Sequence, residues 1–225
     1  MQKSAIVSGA GGALGRVIVK KLLAEGYHVS ALYHSGDHEP SENFTAYKVN
    51  LLDEAQTEET VTSIFKQRTE VQVLICTAGG FAMGDIEHTT SSAIQQQIDL
   101  NFKTTYHLVR PVYTRMKNQG AGRIFITGSK SALNPETGTQ TLAYTLSKAM
   151  LINLATILNA DNRHKVITTV IAPSIIDTKA NREAMPDADY SRWVTPEQIA
   201  EIIAFYASEK SEILREPVLK AFHLT

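Results

Sequence analysis

Cysteine is nearly absent from this sequence. Cys76 is the only one, so no internal disulfide can form and a reducing compartment is expected. It ends an apolar run, Val71 to Cys76, and reads as a packed thiol rather than a nucleophile. An excess of either charge is missing too. Twenty-two Lys and Arg against 23 Asp and Glu leave a net charge of -1, with no basic cluster, so nucleic acid is not an expected partner. The seven histidines show no His-x-x-x-His or Cys/His spacing, and no metal site is expected. No apolar run approaches the length of a membrane span, and no signal-peptide pattern precedes the first strand-like run. The expectation is a cytoplasmic protein with no membrane partner. Repeats, low-complexity tracts and linkers are also lacking.

What is present is an ordinary globular balance, 43% apolar and 20% charged, over 225 residues. That length suits one α/β domain, 1–225. Short β-branched runs at Ala5–Val7, His28–Leu32, Ala46–Val49, Val71–Cys76, Arg123–Thr127 and Val166–Ile171 alternate with helix-period stretches near 13–25, 54–68, 90–118, 143–161 and 196–208. Most of the runs are apolar on both faces, as strands covered by helices must be. The alternation predicts a three-layer α/β/α arrangement around a doubly wound parallel sheet. Thr195 and Pro196 predict a helix start, and Pro217-Val218-Leu219 a last strand. The stretch 174–195 lacks regular periodicity and is a candidate lid-like loop.

After the first run comes Ser8-Gly9-Ala10-Gly11-Gly12-Ala13-Leu14-Gly15-Arg16, then a helix. A Rossmann-type dinucleotide fold needs glycines there, for the tight turn, for backbone approach to the pyrophosphate and for helix–strand packing. The helix N-terminus adds free N–H groups and a positive dipole end. At the tip of the second strand an acid would bond the adenosine ribose and select NAD. Here stand Tyr33-His34-Ser35-Gly36, and the first acid is Asp37. His34, Ser35 and Arg16 could meet a 2′-phosphate, which leans the reading to NADP(H) over NAD(H). An exposed loop histidine remains the plainer reading of His34.

Tyr144 and Lys148 lie four residues apart in a helical pattern and so share one face. A nearby cation favours phenolate and would lower the tyrosine pKa toward a useful range. An isolated Tyr-x-x-x-Lys also arises by chance on a solvated helix, so its setting decides.

That setting resembles the short-chain dehydrogenase/reductase family over nearly the whole chain. The segments that carry the resemblance, in order, are the glycine turn and Asn50-Leu51-Leu52-Asp53. Thr77-Ala78-Gly79-Gly80 and Asp99-Leu100-Asn101 follow, then Thr127-Gly128-Ser129 and the Tyr144–Lys148 pair. Pro173-Ser174-Ile175-Ile176-Asp177-Thr178 completes the set. Departures are Ala13, Asn50, Thr77 and Ser174. A closer local likeness is to the dihydropteridine reductases, through Gly11–Gly15, Ala78–Phe81 and above all Thr178–Trp193. They carry an acid where His34 stands and lack the Asn and Ser of this chain, so no pterin substrate is assigned.

The resemblance implies hydride transfer between nicotinamide and a carbonyl or alcohol, with Asn101, Ser129, Tyr144 and Lys148 catalytic. Tyr144 would donate the proton, Ser129 bond the same oxygen, Lys148 tune Tyr144 and bind ribose, and Asn101 hold a water through its helix backbone. Cofactor contacts are implied at Gly9, Gly11, Gly12, Ala13, Leu14, Gly15, His34, Ser35, Asn50, Leu51, Ala78, Gly79, Gly80, Tyr144, Lys148, Pro173, Ile176 and Thr178. Ser129 precedes Tyr144 by fifteen residues, two more than usual in the family, which makes Ser131 a rival and places an insertion in 134–141. Phe81, Met83, Met185, Tyr190 and Trp193 would line an apolar substrate pocket or pack the loop down. The 90–118 and 143–161 helices would form a homodimer or homotetramer contact. A dinucleotide-sensing regulator without chemistry is the competing reading, and a nucleotide-sugar epimerase would need a larger C-terminal region.

Overall fold

Seven parallel strands run in the order β3-β2-β1-β4-β5-β6-β7. They are β1 (Ser4–Ser8), β2 (His28–Tyr33), β3 (Phe44–Lys48), β4 (Val73–Cys76), β5 (Ala121–Thr127), β6 (Lys165–Pro173) and β7 (Val218–Ala221). This computed structural model describes residues 2–36, 38–161 and 163–223; Asp37 lies outside the described residues. The predicted doubly wound α/β/α sheet is what forms.

The strands need apolar residues on both faces because both are covered. In β1, Ala5 and Val7 face one core while Ile6 faces the other; in β4, Val73 and Ile75 oppose Leu74 and Cys76. One layer holds α1 (Ala13–Ala24) and α8 (Pro196–Ala207). The other holds α2 (Glu54–Gln67), α4 (Thr104–Gln119) and α6 (Leu142–Ala160). Both cores are closely covered, and Phe125, Ile6, Leu74 and Ile124 are at most 1% exposed. Among the described residues, no helix is long and apolar enough to cross a membrane.

The start of α8 follows the predicted signal. Thr195 Oγ1 accepts from the Gln198 N–H at 3.1 Å, Gln198 Oε1 accepts from the Thr195 N–H at 2.9 Å, and Pro196 opens the helix. Two stretches differ from the sequence reading. The predicted 90–118 helix is divided: α3 (Ser91–Gln97) passes through a wide π-type segment, Ile98–Lys103, into α4. The 174–195 loop contains a short helix, α7 (Lys179–Ala184), which six residues are too few to show as periodicity.

The strand order reverses between β1 and β4. In such sheets the crevice at the carboxyl ends beside that switch point receives ligands. Here it is bounded by the turn after β1 and by Thr77–Gly80 after β4.

Candidate active site

The glycine turn is shaped by contacts that no side chain would permit. Gly9 has φ +64, and a Cβ there would stand 2.7 Å from both the Ala78 nitrogen and Thr77 Oγ1. A Cβ on Gly15 would run into the Gly9 carbonyl. Gly11 and Gly12 are exposed, and no side chain caps the first turn of α1, so its N–H groups are open to an anion. Thr77, standing where the family has another residue, donates its hydroxyl to the Ser8 carbonyl at 2.7 Å and so ties β4 to the turn.

At the tip of β2, Tyr33 stacks on His38 with ring centroids 3.6 Å apart. Tyr33 also lies against Gly11 and within the field of Arg16. His34 and Ser35 are exposed beside it. Sequence reasoning had no signal for the stack. Asn50 accepts from the Leu52 N–H at 3.1 Å, an Asx turn leading into α2, while Leu51 is buried and its carbonyl bonds His107 Nδ1 at 2.9 Å.

The structure brings Asn101, Ser129, Tyr144 and Lys148 together. Lys148 comes from α6, is 5% exposed, and donates to the Thr127 carbonyl at 2.8 Å. Its Nζ is 5.9 Å from the centre of the Tyr144 ring. Burial lowers its pKa to about 8, offset only in part by the Cys76 sulfur nearby. Cys76 itself is pushed up to about 12 by burial, which makes it an inert thiol.

Burial also raises the Tyr144 phenol above its ordinary value, opposed by the nearby Ser129 hydroxyl. A phenol held in its protonated form is suited to giving up a proton rather than taking one.

Ser129 follows β5 as predicted and caps α5 (Lys130–Leu133), its Oγ accepting from the Ala132 N–H at 3.2 Å. Ser131 Oγ is 3.2 Å behind it. Of the two candidate serines, Ser129 is buried and lies beside the Tyr144 phenol, whereas Ser131 is half-buried.

Asn101 is fully buried inside the π-type segment. Its Oδ1 accepts from the Gly80 N–H at 3.0 Å, and its Nδ2 donates to the Gly80 carbonyl, to Ser147 Oγ at 3.0 Å and to Gln97 Oε1 at 3.2 Å. These bonds pull the helix open at Asn101. Gln97 and Ser147 were missed in the sequence because a lone glutamine or serine near a site residue carries no motif of its own. A Cβ on Gly79 would stand 2.5 Å from Asn101 Oδ1 and 3.4 Å from Lys148 Nζ, so glycine is what allows this approach.

Around the phenol, Phe81 meets Tyr144 edge-on at 5.0 Å, and Phe81 and Met83 are 62% and 68% exposed. The 134–141 segment is stitched to this rim: the Gly84 N–H donates to the Gln140 carbonyl at 2.8 Å and the Leu142 N–H to the Gly84 carbonyl at 2.9 Å. On the far side, Pro173 ends β6, and Ser174 Oγ is buried among protein atoms that offer it no hydrogen bond. Ile176 pairs with Val194, and Thr178 caps α7 by accepting from the Asn181 N–H at 3.2 Å. The α7 stretch is braced by Asp177 with Arg182 at 2.6 Å and by Arg182 over the Tyr190 ring at 4.6 Å. Trp193 is buried and packs on Tyr190, whereas Met185 is half-buried.

The sequence matches the short chain dehydrogenase model over residues 3–189. It is 25% identical over 205 residues to dihydropteridine reductase of Dictyostelium discoideum, covering 89% of this chain and 86% of that one. It is 25% identical over 228 residues to 3-oxoacyl-[acyl-carrier-protein] reductase MabA of Mycobacterium tuberculosis, covering 97% and 91%. The ligand-free aldohexose dehydrogenase of Thermoplasma acidophilum superposes with a TM-score of 0.86 at 22% identity, over 97% of this chain and 92% of that one. With the glycine cradle, the open helix at Asn101 and a matching model over most of its length, the chain belongs to the short chain dehydrogenase family of oxidoreductases.

Proposed function

We propose that the protein is an NADP(H)-preferring oxidoreductase that reduces a small-molecule carbonyl, with Tyr144 as the proton donor. One observation carries the reading. The half-buried Tyr144 phenol, held in its protonated form, has Ser129 beside it and stands next to Lys148, whose Nζ reaches Gly79 in the loop that bounds the crevice.

The residues fit a dinucleotide. The Gly9–Gly15 turn and the open end of α1, with Ala13 and Leu14, would hold the pyrophosphate. Asn50 and Leu51 would border the adenine, and Ala78, Gly79 and Gly80 the middle of the cofactor. Pro173, Ile176 and Thr178 would border the nicotinamide, where the unbonded Ser174 hydroxyl leaves a polar atom for a ligand. Arg16, His34 and Ser35 would meet a 2′-phosphate; Lys48 and Glu39 line the same pocket as Tyr33 and His38. When bound, the nicotinamide supplies the hydride.

As the carbonyl becomes an alkoxide, negative charge grows on its oxygen. Tyr144 donates its proton there, and Ser129 donates a hydrogen bond to the same atom. Lys148 spends one N–H on Thr127 and keeps two for the ribose and for the field at Tyr144. Asn101 fixes Gly80 and holds the helix open, leaving room for a water through which Lys148 recovers a proton. Phe81 and Met83 supply apolar surface for the substrate, and the 174–195 stretch covers it. Leu146, Ile157 and Tyr106, exposed on α6 and α4, would meet a second copy in a homodimer or homotetramer. A cytoplasmic location agrees with the lone reduced cysteine.

The test is NADPH oxidation against ketones, aldehydes, quinones and quinonoid pterin, with Tyr144→Phe as control. We expect Tyr144→Phe to lose at least about 100-fold in kcat, the scale of general acid catalysis, while binding NADPH as before. Near-normal turnover by that variant would overturn the mechanism.

A further inference from the structure

Behind Ser129 runs a line of hydroxyls that the reaction above leaves without a role. Thr145 donates to Ser131 Oγ at 3.0 Å, and Ser131 Oγ lies 3.2 Å from Ser129 Oγ. Thr141 Oγ1 stands 3.0 Å from Thr145 Oγ1 at the far end. Ser129 and Thr145 are buried, and Ser131 between them is half-buried.

Each hydroxyl has one proton and two acceptor positions. The Thr145 proton goes to Ser131. Between Ser131 and Ser129 either oxygen can donate; with Ser131 as the donor, its proton lies on Ser129 Oγ. Ser129 Oγ also accepts from the Ala132 N–H. In that arrangement both acceptor positions of Ser129 are filled, and its own proton is left for Tyr144 and the crevice. A serine free to rotate could instead accept from Tyr144 and hold back the phenol proton. An oxyanion needs a donor already aimed at it, since turning one round during the reaction costs part of the stabilisation. Hydroxyls in series also polarise one another in the same direction.

The insertion noted in the sequence sets the far end of this line. A Cβ on Gly138 would overlap Thr145, so the 134–141 segment lies directly on that side chain. The same segment is bonded to Gly84 on the substrate rim.

We propose that Ser131 and Thr145 are positioning residues that fix the Ser129 hydroxyl as a donor to the reacting oxygen. The proposal rests on the reading of Ser129 and Tyr144 as the reacting pair.

The experiment compares Ser131→Ala, Thr145→Val, Thr145→Ser, Ser129→Ala and the Ser129→Ala/Ser131→Ala double variant. Ser131→Ala and Thr145→Val should each lower kcat about tenfold, short of the roughly 100- to 1000-fold that loss of an oxyanion donor itself costs. KM for the carbonyl and Kd for NADPH should stay within about twofold, because ground-state binding is untouched. Thr145→Ser, which keeps the hydroxyl, should restore kcat. The double variant should be no slower than Ser129→Ala, since Ser131 acts only through Ser129. Thr145→Val reports the link from its far end should Ser131→Ala fail to fold.

A second readout needs no turnover. With tyrosines labelled at Cζ, the Tyr144 carbon resonance, assigned by its loss in Tyr144→Phe, should move in the same direction in Ser129→Ala and Ser131→Ala. That movement without turnover of any carbonyl would uphold the hydroxyl line and overturn the carbonyl reading. A Ser131→Ala protein with unchanged kcat and an unmoved resonance would overturn the line. So would a double variant that is slower still than Ser129→Ala.

Discussion

Asn101 and Gly80 exchange two hydrogen bonds, both 3.0 Å long, between the open turn of a helix and the loop after β4. The exchange joins the carboxyl end of the central strand β4 to the helix segment that packs against α6. Asn101→Ala would remove both bonds and those to Gln97 and Ser147, leaving buried polar groups unpaired. The cost expected is about 2–4 kcal/mol. For a chain of this size, that lowers Tm by roughly 5–15 °C. Thermal unfolding of the ligand-free protein checks it, and a loss under about 2 °C would show that the clamp contributes little.

Gly15 lies directly under the Gly9 carbonyl. Gly15→Ala must push the turn and α1 apart, and overpacking of this kind costs about 1–3 kcal/mol. The same movement spoils the approach of the backbone to a pyrophosphate. NADPH affinity, read by fluorescence titration, should fall more than tenfold. Unchanged affinity would mean that the dinucleotide does not use this turn.

Much of the fold was legible because its signals are local. β-branched runs alternate with helical periods, and the glycines sit between a strand and a helix. Thr195, Pro196 and Gln198 announce a helix start through short-range bonds. The parts that were not legible depend on distant partners. The open helix at Asn101 comes from Gly80 and Ser147, remote in sequence. The α7 helix is too short for a period, although Thr178 was a usable cap signal. The pKa of Tyr144 is governed by burial, which the i, i+4 spacing with Lys148 does not report. Ser131 was visible only as a rival to Ser129; its bond to Thr145 needs the path taken by 134–141.

At the β2 tip, Arg16 and the Tyr33–His38 stack stand where the proposed function would put the adenosine ribose. A charge-assisted bond to a 2′-phosphate contributes about 1.5–3 kcal/mol. NADPH should therefore be preferred to NADH. Arg16→Ala should raise KM for NADPH about tenfold or more and leave KM for NADH nearly unchanged. A clear preference for NADH in the unaltered protein would reverse the assignment.

Lys148 is a buried ammonium, held at the expense of stability. Its pKa falls from 10.5 to about 8 through burial. Between those values the unfolded chain binds more protons than the folded one, so stability rises with pH across the interval. The penalty is fully present below about pH 8 and fades toward pH 10.5. At about 1.4 kcal/mol per unit, it comes to about 3 kcal/mol. Lys148→Met removes it but leaves the Thr127 carbonyl without its donor, a loss of about 1 kcal/mol. The ligand-free variant should melt a few degrees above the unaltered protein at pH 7, with a smaller gap at pH 9.5. Its kcat should fall at least about 100-fold, because the positive field at the phenol and the ribose contact are gone. Melting curves at the two pH values, beside NADPH-dependent turnover, separate these effects. A Lys148→Met protein that melts lower at pH 7 would show that the lysine is held by better bonds than the one to Thr127.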